Sequence, residues 1–409
     1  MRSRHGSCGW TRGANGRSDL VWVLREDAVK SKAAILWDTH TKWSVEEIEL
    51  DPPKAGEVLV QLAASGLCHS DEHLVTGDMV LDPAMAEAFG ARQLPCIGGH
   101  EGAGVVAEVG PEVTSLRPGD HIVTSFIPAC GRCPSCAIGQ QHLCDLGAFS
   151  LAGRQPTDFT ARHHASDGTD LGLMCMLGTF EPWTVVSEAS CVKIEPHIPL
   201  DKAALVGCGV TTGWGSAVNA GDVRAGETVV VVGLGGIGMN AVQGARLAGA
   251  DKIVGVDPLE NKRSAAATFG ATHTAANLDE AASLVRELTR GAMADKSILT
   301  VSVAHGDLIA PVMDLTKKAG RMVVTAVAPV SQMDVKLNLF SFAMSRKELV
   351  GCIYGNANPR RDIPRILDLY MNGRVLLDEL VTNVYALEDI NQGYEDMRNG
   401  TNIRGMIVF

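Results

Sequence analysis

No stretch of the chain approaches the roughly 20 consecutive apolar residues that a membrane helix requires. The sequence therefore reads as soluble and cytoplasmic, with no membrane partner. Positive charge is also short. The 36 Lys and Arg stand against 47 Asp and Glu, for a formal net charge of −11. A nucleic-acid face needs concentrated Lys and Arg, so no such partner is expected. The cysteines do not pair evenly. Eleven is an odd number, and Cys130, Cys133, Cys136 and Cys144 crowd together while the rest are scattered. A secreted disulfide scaffold is short and evenly paired, whereas clustered cysteines in a long chain suit metal and a reducing compartment. Internal repeats are lacking too.

What is present is an ordinary globular composition, 20% charged and 46% hydrophobic over 409 residues. That length suits two domains. The first stretch, rich in Arg, Gly and Ser, stands apart. Its one apolar run, "LVWVL", is shorter than the roughly 7–15 residues of a signal-peptide core. Residues 1–30 are expected to be a disordered extension or a start assigned too early, with Val29 as initiator. A native N-terminal mass beginning at Met1 would remove the second option.

Strand-like segments such as "EVLVQLAASG" and "GAGVVAEVG" come early, separated by Gly, Pro and Asp. This predicts a β-rich domain over 31–208. From 209 to 353, β-branched runs alternate with Ala-rich helical runs, as in "ETVVVVG" followed by "MNAVQGARLAGA". That alternation indicates βαβ units and a doubly wound parallel sheet, so the class is α/β. Residues 354–409 carry one more helical segment and a closing strand, read as a return to the first domain.

"GLGGIG" places Gly233, Gly235 and Gly238 in G-x-G-x-x-G spacing, with Gly236 between them. The motif follows a strand, opens a helix, and is followed by a strand ending in Asp257. This is the context a dinucleotide loop requires. The first glycine makes the turn, the second admits the pyrophosphate, and the third lets helix and strand pack. Asp257 would accept bonds from the adenosine ribose and repel a 2′-phosphate, which favours NAD over NADP.

"CGRCPSCAIGQQHLC" reads C-x2-C-x2-C-x7-C. Four thiolates suit a closed tetrahedral zinc site that does no chemistry. Its start also matches an iron–sulfur run, but the long last gap and the missing proline count against that. Disulfides among such close cysteines would pair poorly. A catalytic zinc needs about three ligands and an open position. Cys68, His69 and His73 in "GLCHSDEH", His100 and Glu101 in "GGHEGAG", and Cys208 in "GCGVTTGWG" are all candidates. Spacing alone does not choose among them, and each taken singly is more ordinary as a buried thiol or a loop histidine.

These motifs occur in the order found in zinc-dependent medium-chain alcohol dehydrogenases, which the chain resembles over residues 31–409. "SFIPACGRC", "MCMLGTF" and "LVGCGVTTGWGSAVNAG" most resemble the actinobacterial nitrosoaniline-dependent group. The resemblance implies a GroES-like catalytic domain, a Rossmann coenzyme domain and two Zn2+ per subunit. It implies NAD(H) held without exchange and an outside redox acceptor such as mycofactocin. It also implies a homodimer or homotetramer.

By the same resemblance the catalytic zinc falls on Cys68, His100 and Cys208. Asp71 orients the His100 imidazole, and Glu101 approaches the metal or pairs with Arg404. His69 and Arg404 face the cofactor pyrophosphate, Lys262 the adenosine ribose, and Thr212 the nicotinamide. Ser70 begins a proton path, the cofactor ribose continues it, and His73 ends it as base. Phe126, Met176 and Leu177 are expected as apolar walls of the substrate pocket.

The implied reaction is oxidation of an alcohol to an aldehyde by hydride transfer to NAD. An NAD-exchanging enzyme, for example one acting on a thiol–formaldehyde adduct, is the alternative. A non-catalytic binding protein on this fold would be expected to lose zinc ligands or relay residues, and this chain keeps them. The segment "GDMVLDPAMAEAFGARQLPCIGG" is long for the family and would reshape the substrate entrance. His163 and His164 are expected to be a solvated loop pair, and Cys96, Cys175, Cys191 and Cys352 to be structural.

Overall fold

The computed structural model describes residues 28–330 and 332–409. The expected N-terminal extension lies outside the described residues up to position 27. Its boundary at 30 falls inside a strand: Val29 and Lys30 pair with Leu50 and Glu49.

Three sheets organise the described residues. The first is five-stranded, in the order His163–Ala165, Ser44–Leu50, Val29–Leu36, Cys96–Ile97 and Gly172–Leu173. The second is seven-stranded. Its spine runs Cys191–Ile194, His121–Thr124, Gly102–Val109, Glu57–Gly66, Arg404–Val408 and Val381–Tyr385, with Trp183–Ser187 also on Glu57–Gly66. The last strand of the chain thus returns to the β-rich half, pairing Met406 with Gly66. That pairing carries Arg404 to the place where the two halves meet.

The third sheet has six strands, all parallel: His273–Ala275, Lys252–Val256, Thr228–Val232, Ala294–Leu299, Thr316–Val324 and Glu348–Gly351. Numbered within this unit, the order is 3-2-1-4-5-6. Winding reverses beside Thr228–Val232, and in such sheets ligands bind outside the carboxyl ends of the strands at that point. Val229, Val230 and Val231 are all fully buried. Helices on both faces explain why this strand reads as an unbroken apolar run. The expected α/β class, with its β-rich and doubly wound halves, is borne out. No helix among the described residues is long and apolar enough to cross a membrane.

His163 and His164 are not a solvated loop pair. Both lie on a strand paired with Ser44–Leu50. His164 sits between Asp170 and Asp51. His163 is fully buried, 3.1 Å from the equally buried Glu181. Burial pushes the Glu181 carboxyl well above its usual range and holds the His163 imidazole down to about 3. The folded pair therefore keeps one proton, on Glu181. The unfolded pair holds two protons below about pH 4, one up to about 6.5, and none above that.

Stability from this pair is accordingly flat between those limits. It falls as pH drops below about 4, where the unfolded chain binds more protons, and as pH rises above about 6.5, where the folded chain does. Thermal midpoints measured against pH should be steeper on both flanks for the native protein than for a His163→Asn/Glu181→Gln variant. Parallel curves would contradict this.

Candidate functional site

Two groups of metal-ligating side chains form among the described residues. In each, the ligand atoms lie within 4.8 Å of one another. The first is Cys130, Cys133, Cys136 and Cys144. Cys133 caps the short helix Pro134–Ala137 and accepts the Cys136 N–H, so the loop directs its sulfurs inward. None of the four is in a disulfide. Four convergent soft donors fit tetrahedral zinc and leave no open position.

The second group is Cys68, His100, Glu101 and Cys208, all buried. Three separate stretches of backbone supply it. Cys68 follows Glu57–Gly66 and precedes the helix His69–Val75. His100 and Glu101 precede Gly102–Val109. Cys208 precedes the helix Gly209–Gly215. Asp71, on the helix after Cys68, is fully buried, and its Oδ1 accepts the Gly99 N–H at 2.7 Å. Its Oδ2 lies 3.2 Å from His100 Nδ1. That approach is off the ideal hydrogen-bond line, yet neither atom has another partner. The contact occupies Nδ1 and leaves Nε2 for a metal, the arrangement that orients metal-bound histidines.

The electrostatics match. A hydrogen bond from Cys208, opposed by burial, holds the Cys68 thiol well below its usual value. The same contact and burial push Cys208 up. Burial disfavours charge on His100, but Asp71 and Cys68 leave its imidazole well above its ordinary value. Two thiols, an imidazole and a carboxylate that compete for protons are a site that releases protons to a divalent cation. Two sulfurs with one nitrogen suit zinc.

Glu101 sits in the metal group, and its Oε2 pairs with Arg404 Nη2. Its Oε1 accepts the Gly209 N–H at 2.9 Å. Burial raises its carboxyl to about 7 in spite of Arg404. Gly66 makes room for this pair, because a Cβ there would overlap Glu101 Oε2.

A cleft of about 970 Å³ opens between the two halves. Cys68, His69, Ser70 and His73 line one wall, and Gly233, Gly235, Gly236, Asp257 and Lys262 the other, with Arg404 between them. Gly233 has φ of 96°, and a Cβ on Gly238 would overlap the Gly233 carbonyl oxygen. At Gly235 a Cβ would meet nothing within 4 Å. This glycine faces open space, as an approaching phosphate requires. Asp257 accepts the Leu234 and Leu259 N–H groups, each at 2.9 Å, which fixes its carboxylate at the strand end. Arg404 lies against Gly236 at the start of the helix Gly236–Leu247. The lining therefore fits a dinucleotide.

Ser70 Oγ is 3.7 Å from Cys68 Sγ. His69 opens to solvent in the cleft, and the protein packed around it lowers its imidazole from the ordinary value. His73 is buried. Its Nδ1 lies 3.3 Å from Asp78 and its Nε2 3.0 Å from the Ser302 carbonyl. Thr212 donates its N–H to the Cys208 carbonyl, and its Oγ1 is buried without a partner. Phe126 meets the His100 ring edge-on at 6.0 Å. Met176 and Leu177 are fully buried, with no side-chain surface open to a pocket. Leu177 packs with Val58, Val60 and Val186 in a core cluster, so as pocket walls these two are corrected.

Two contacts escaped sequence reasoning. Asp78 meets His73 from the turn after the histidine's helix, and an acid five residues on was its only signal. Tyr354 donates to the Gly207 carbonyl at 2.8 Å, next to Cys208, and stacks edge-on against Phe126. Nothing local marks it.

A soft-donor metal group on one wall and a dinucleotide loop on the other define a zinc- and nicotinamide-dependent dehydrogenase. Residues 54–196 match the alcohol dehydrogenase GroES-like domain, and residues 236–372 match the zinc-binding dehydrogenase family. The chain is 48% identical over 380 residues to the NDMA-dependent alcohol dehydrogenase of Amycolatopsis methanolica, covering 93% of this chain and 99% of that one. It is 48% identical over 381 residues to alcohol dehydrogenase B of Mycobacterium tuberculosis, with coverage of 93% and 99%. A crystal structure of an alcohol dehydrogenase zinc-binding domain protein from Burkholderia ambifaria superposes with a TM-score of 0.85 at 29% identity, over 94% of this chain and all of that one. The chain belongs to the zinc-dependent medium-chain alcohol dehydrogenases and lies close to their actinobacterial nitrosoaniline-dependent members.

Proposed function

We propose that the protein oxidises a small alcohol to its aldehyde with an NAD(H) that stays bound and is reoxidised by an external acceptor. One observation carries this reading: Cys68 of the metal group shares a single cleft with Gly235 and Asp257. When bound, zinc supplies Lewis acidity toward a hydroxyl, and the nicotinamide accepts hydride. Cys68, His100 and Cys208 hold the metal, with Asp71 fixing the imidazole. Arg404, His69 and the helix start at Gly236 face the pyrophosphate, and Asp257 with Lys262 the adenosine ribose. Thr212, with its unpartnered buried hydroxyl, faces the nicotinamide, and Phe126 walls the substrate beside His100. Ser70 passes the hydroxyl proton toward His73. The four-cysteine lobe holds a second zinc.

The acceptor-linked mode rests on the similarity to the NDMA-dependent relative. A redox cofactor such as mycofactocin would then serve as acceptor in the cell. Turnover of an alcohol should be rapid with a nitrosoaniline acceptor and negligible with added NAD alone. Efficient turnover with free NAD would favour the exchanging alternative.

We also infer a homo-oligomer, built through the coenzyme half. The strand Glu348–Gly351 ends its sheet. Nearby in sequence, Leu339, Phe340 and Met344 are about three-quarters exposed on one short helix. Exposed apolar patches and open sheet edges are each costly in a monomer. Leu339→Glu/Phe340→Glu should lower the mass measured by light scattering. An unchanged mass would exclude this face.

A further inference from the structure

We propose that Asp78 is a positioning residue that holds His73 as proton acceptor and opens its route to solvent. The proposal rests on His73 being the base of the reading above. His73 Nδ1 lies 3.3 Å from Asp78 Oδ2, and Nε2 lies 3.0 Å from the Ser302 carbonyl oxygen. Both partners are acceptors. A neutral imidazole has one N–H and one lone pair, so it satisfies only one of them, whereas an imidazolium donates to both. Both ring nitrogens of His73 therefore face acceptors, and Asp78 is the charged one of the two.

Asp78 is itself fixed, because Oδ2 also accepts the Thr76 hydroxyl at 2.7 Å. The Asp78 side chain is 31% exposed, while that of His73 is 5% exposed. The carboxylate thus connects a buried ring to water. Two other histidines act on this pair electrostatically: His69 on His73, and His305 on Asp78. Both would oppose a proton on His73 when charged, which leaves Asp78 as the anion that stabilises it.

The chemistry balances simply. Alcohol oxidation sends a hydride to the nicotinamide and releases one proton from the hydroxyl. His73 takes that proton as a ring N–H and returns it to water beside Asp78. A base accepts a proton only through a free lone pair, so activity is expected to rise with pH. Removing the neighbouring anion makes the ring easier to deprotonate and moves that rise to lower pH.

The test is the pH profile of kcat and kcat/KM for the metal- and cofactor-loaded enzyme. Asp78→Asn should move the acidic limb down by about one pH unit and lower the plateau by ~10-fold. Zinc and nucleotide content should be unchanged, and Asp78→Glu should recover part of both effects. In a His73→Gln background, Asp78→Asn should have no further effect. An Asp78→Asn limb that stays in place, while His73→Gln removes the limb, would overturn the proposal and keep the reading of His73. A His73→Gln profile identical to the native one would overturn both.

Discussion

Replacing Cys208 with Ser should cut alcohol turnover by ~1,000-fold or more, on the scale of several kcal/mol of Lewis-acid stabilisation. Bound zinc should fall from two per chain to one. Cys208 is one of two sulfurs in the buried group, and its hydrogen bond is what holds the Cys68 thiol down. A serine hydroxyl is a hard, weakly acidic donor and replaces a thiolate poorly on zinc. The lobe formed by Cys130, Cys133, Cys136 and Cys144 shares none of these ligands and should keep its metal. Metal analysis beside kcat checks both halves of the prediction. Two zincs and near-native turnover in Cys208→Ser would show that the ligand set is wrong.

The second large effect concerns stability. Glu101 is fully buried and Arg404 nearly so, and the pair joins strands from opposite ends of the chain. Removing one partner of such a pair costs about 3–5 kcal/mol, because the other charge stays buried. Glu101→Gln leaves a guanidinium that cannot deprotonate, so it should lower the thermal midpoint by roughly 5 °C. Arg404→Met should cost less. Burial already raises the Glu101 carboxyl to about 7, and without Arg404 it rises further and stays neutral. Thermal unfolding of the zinc-loaded variants measures this. Equal losses in the two, or none, would contradict the account.

The coenzyme half was legible because its rules are local. Gly233, Gly235 and Gly238 are set by a turn, an open approach and a close packing. Each requirement falls within six residues of sequence and recurs in the structure at the same glycine. The metal group was legible only in part. Spacing could not select Cys68, His100 and Cys208 from the candidate histidines and cysteines, because the three lie on separate strands and loops. Their place in an ordered set of motifs selected them.

Readings failed where burial is decided by distant packing. Leu177 suits a pocket wall or a core equally well by residue type, and Val58, Val60 and Val186 claimed it. His163 sits in a polar stretch, yet its strand pairs with Leu50 and its side chain is sealed in with Glu181. Tyr354 reaches Gly207 across 147 positions, a distance over which no periodicity carries information. Glu101 and Arg404 are 303 positions apart, and only the resemblance to the family brought them together.

The most direct test uses purified protein, an alcohol, and neither added NAD nor an acceptor. Absorbance in the reduced-nicotinamide band is followed after mixing. The account predicts a single burst that reaches up to one reduced nicotinamide per chain, then stops until a nitrosoaniline is added. A trace that stays flat until free NAD is supplied would contradict the bound-cofactor mechanism.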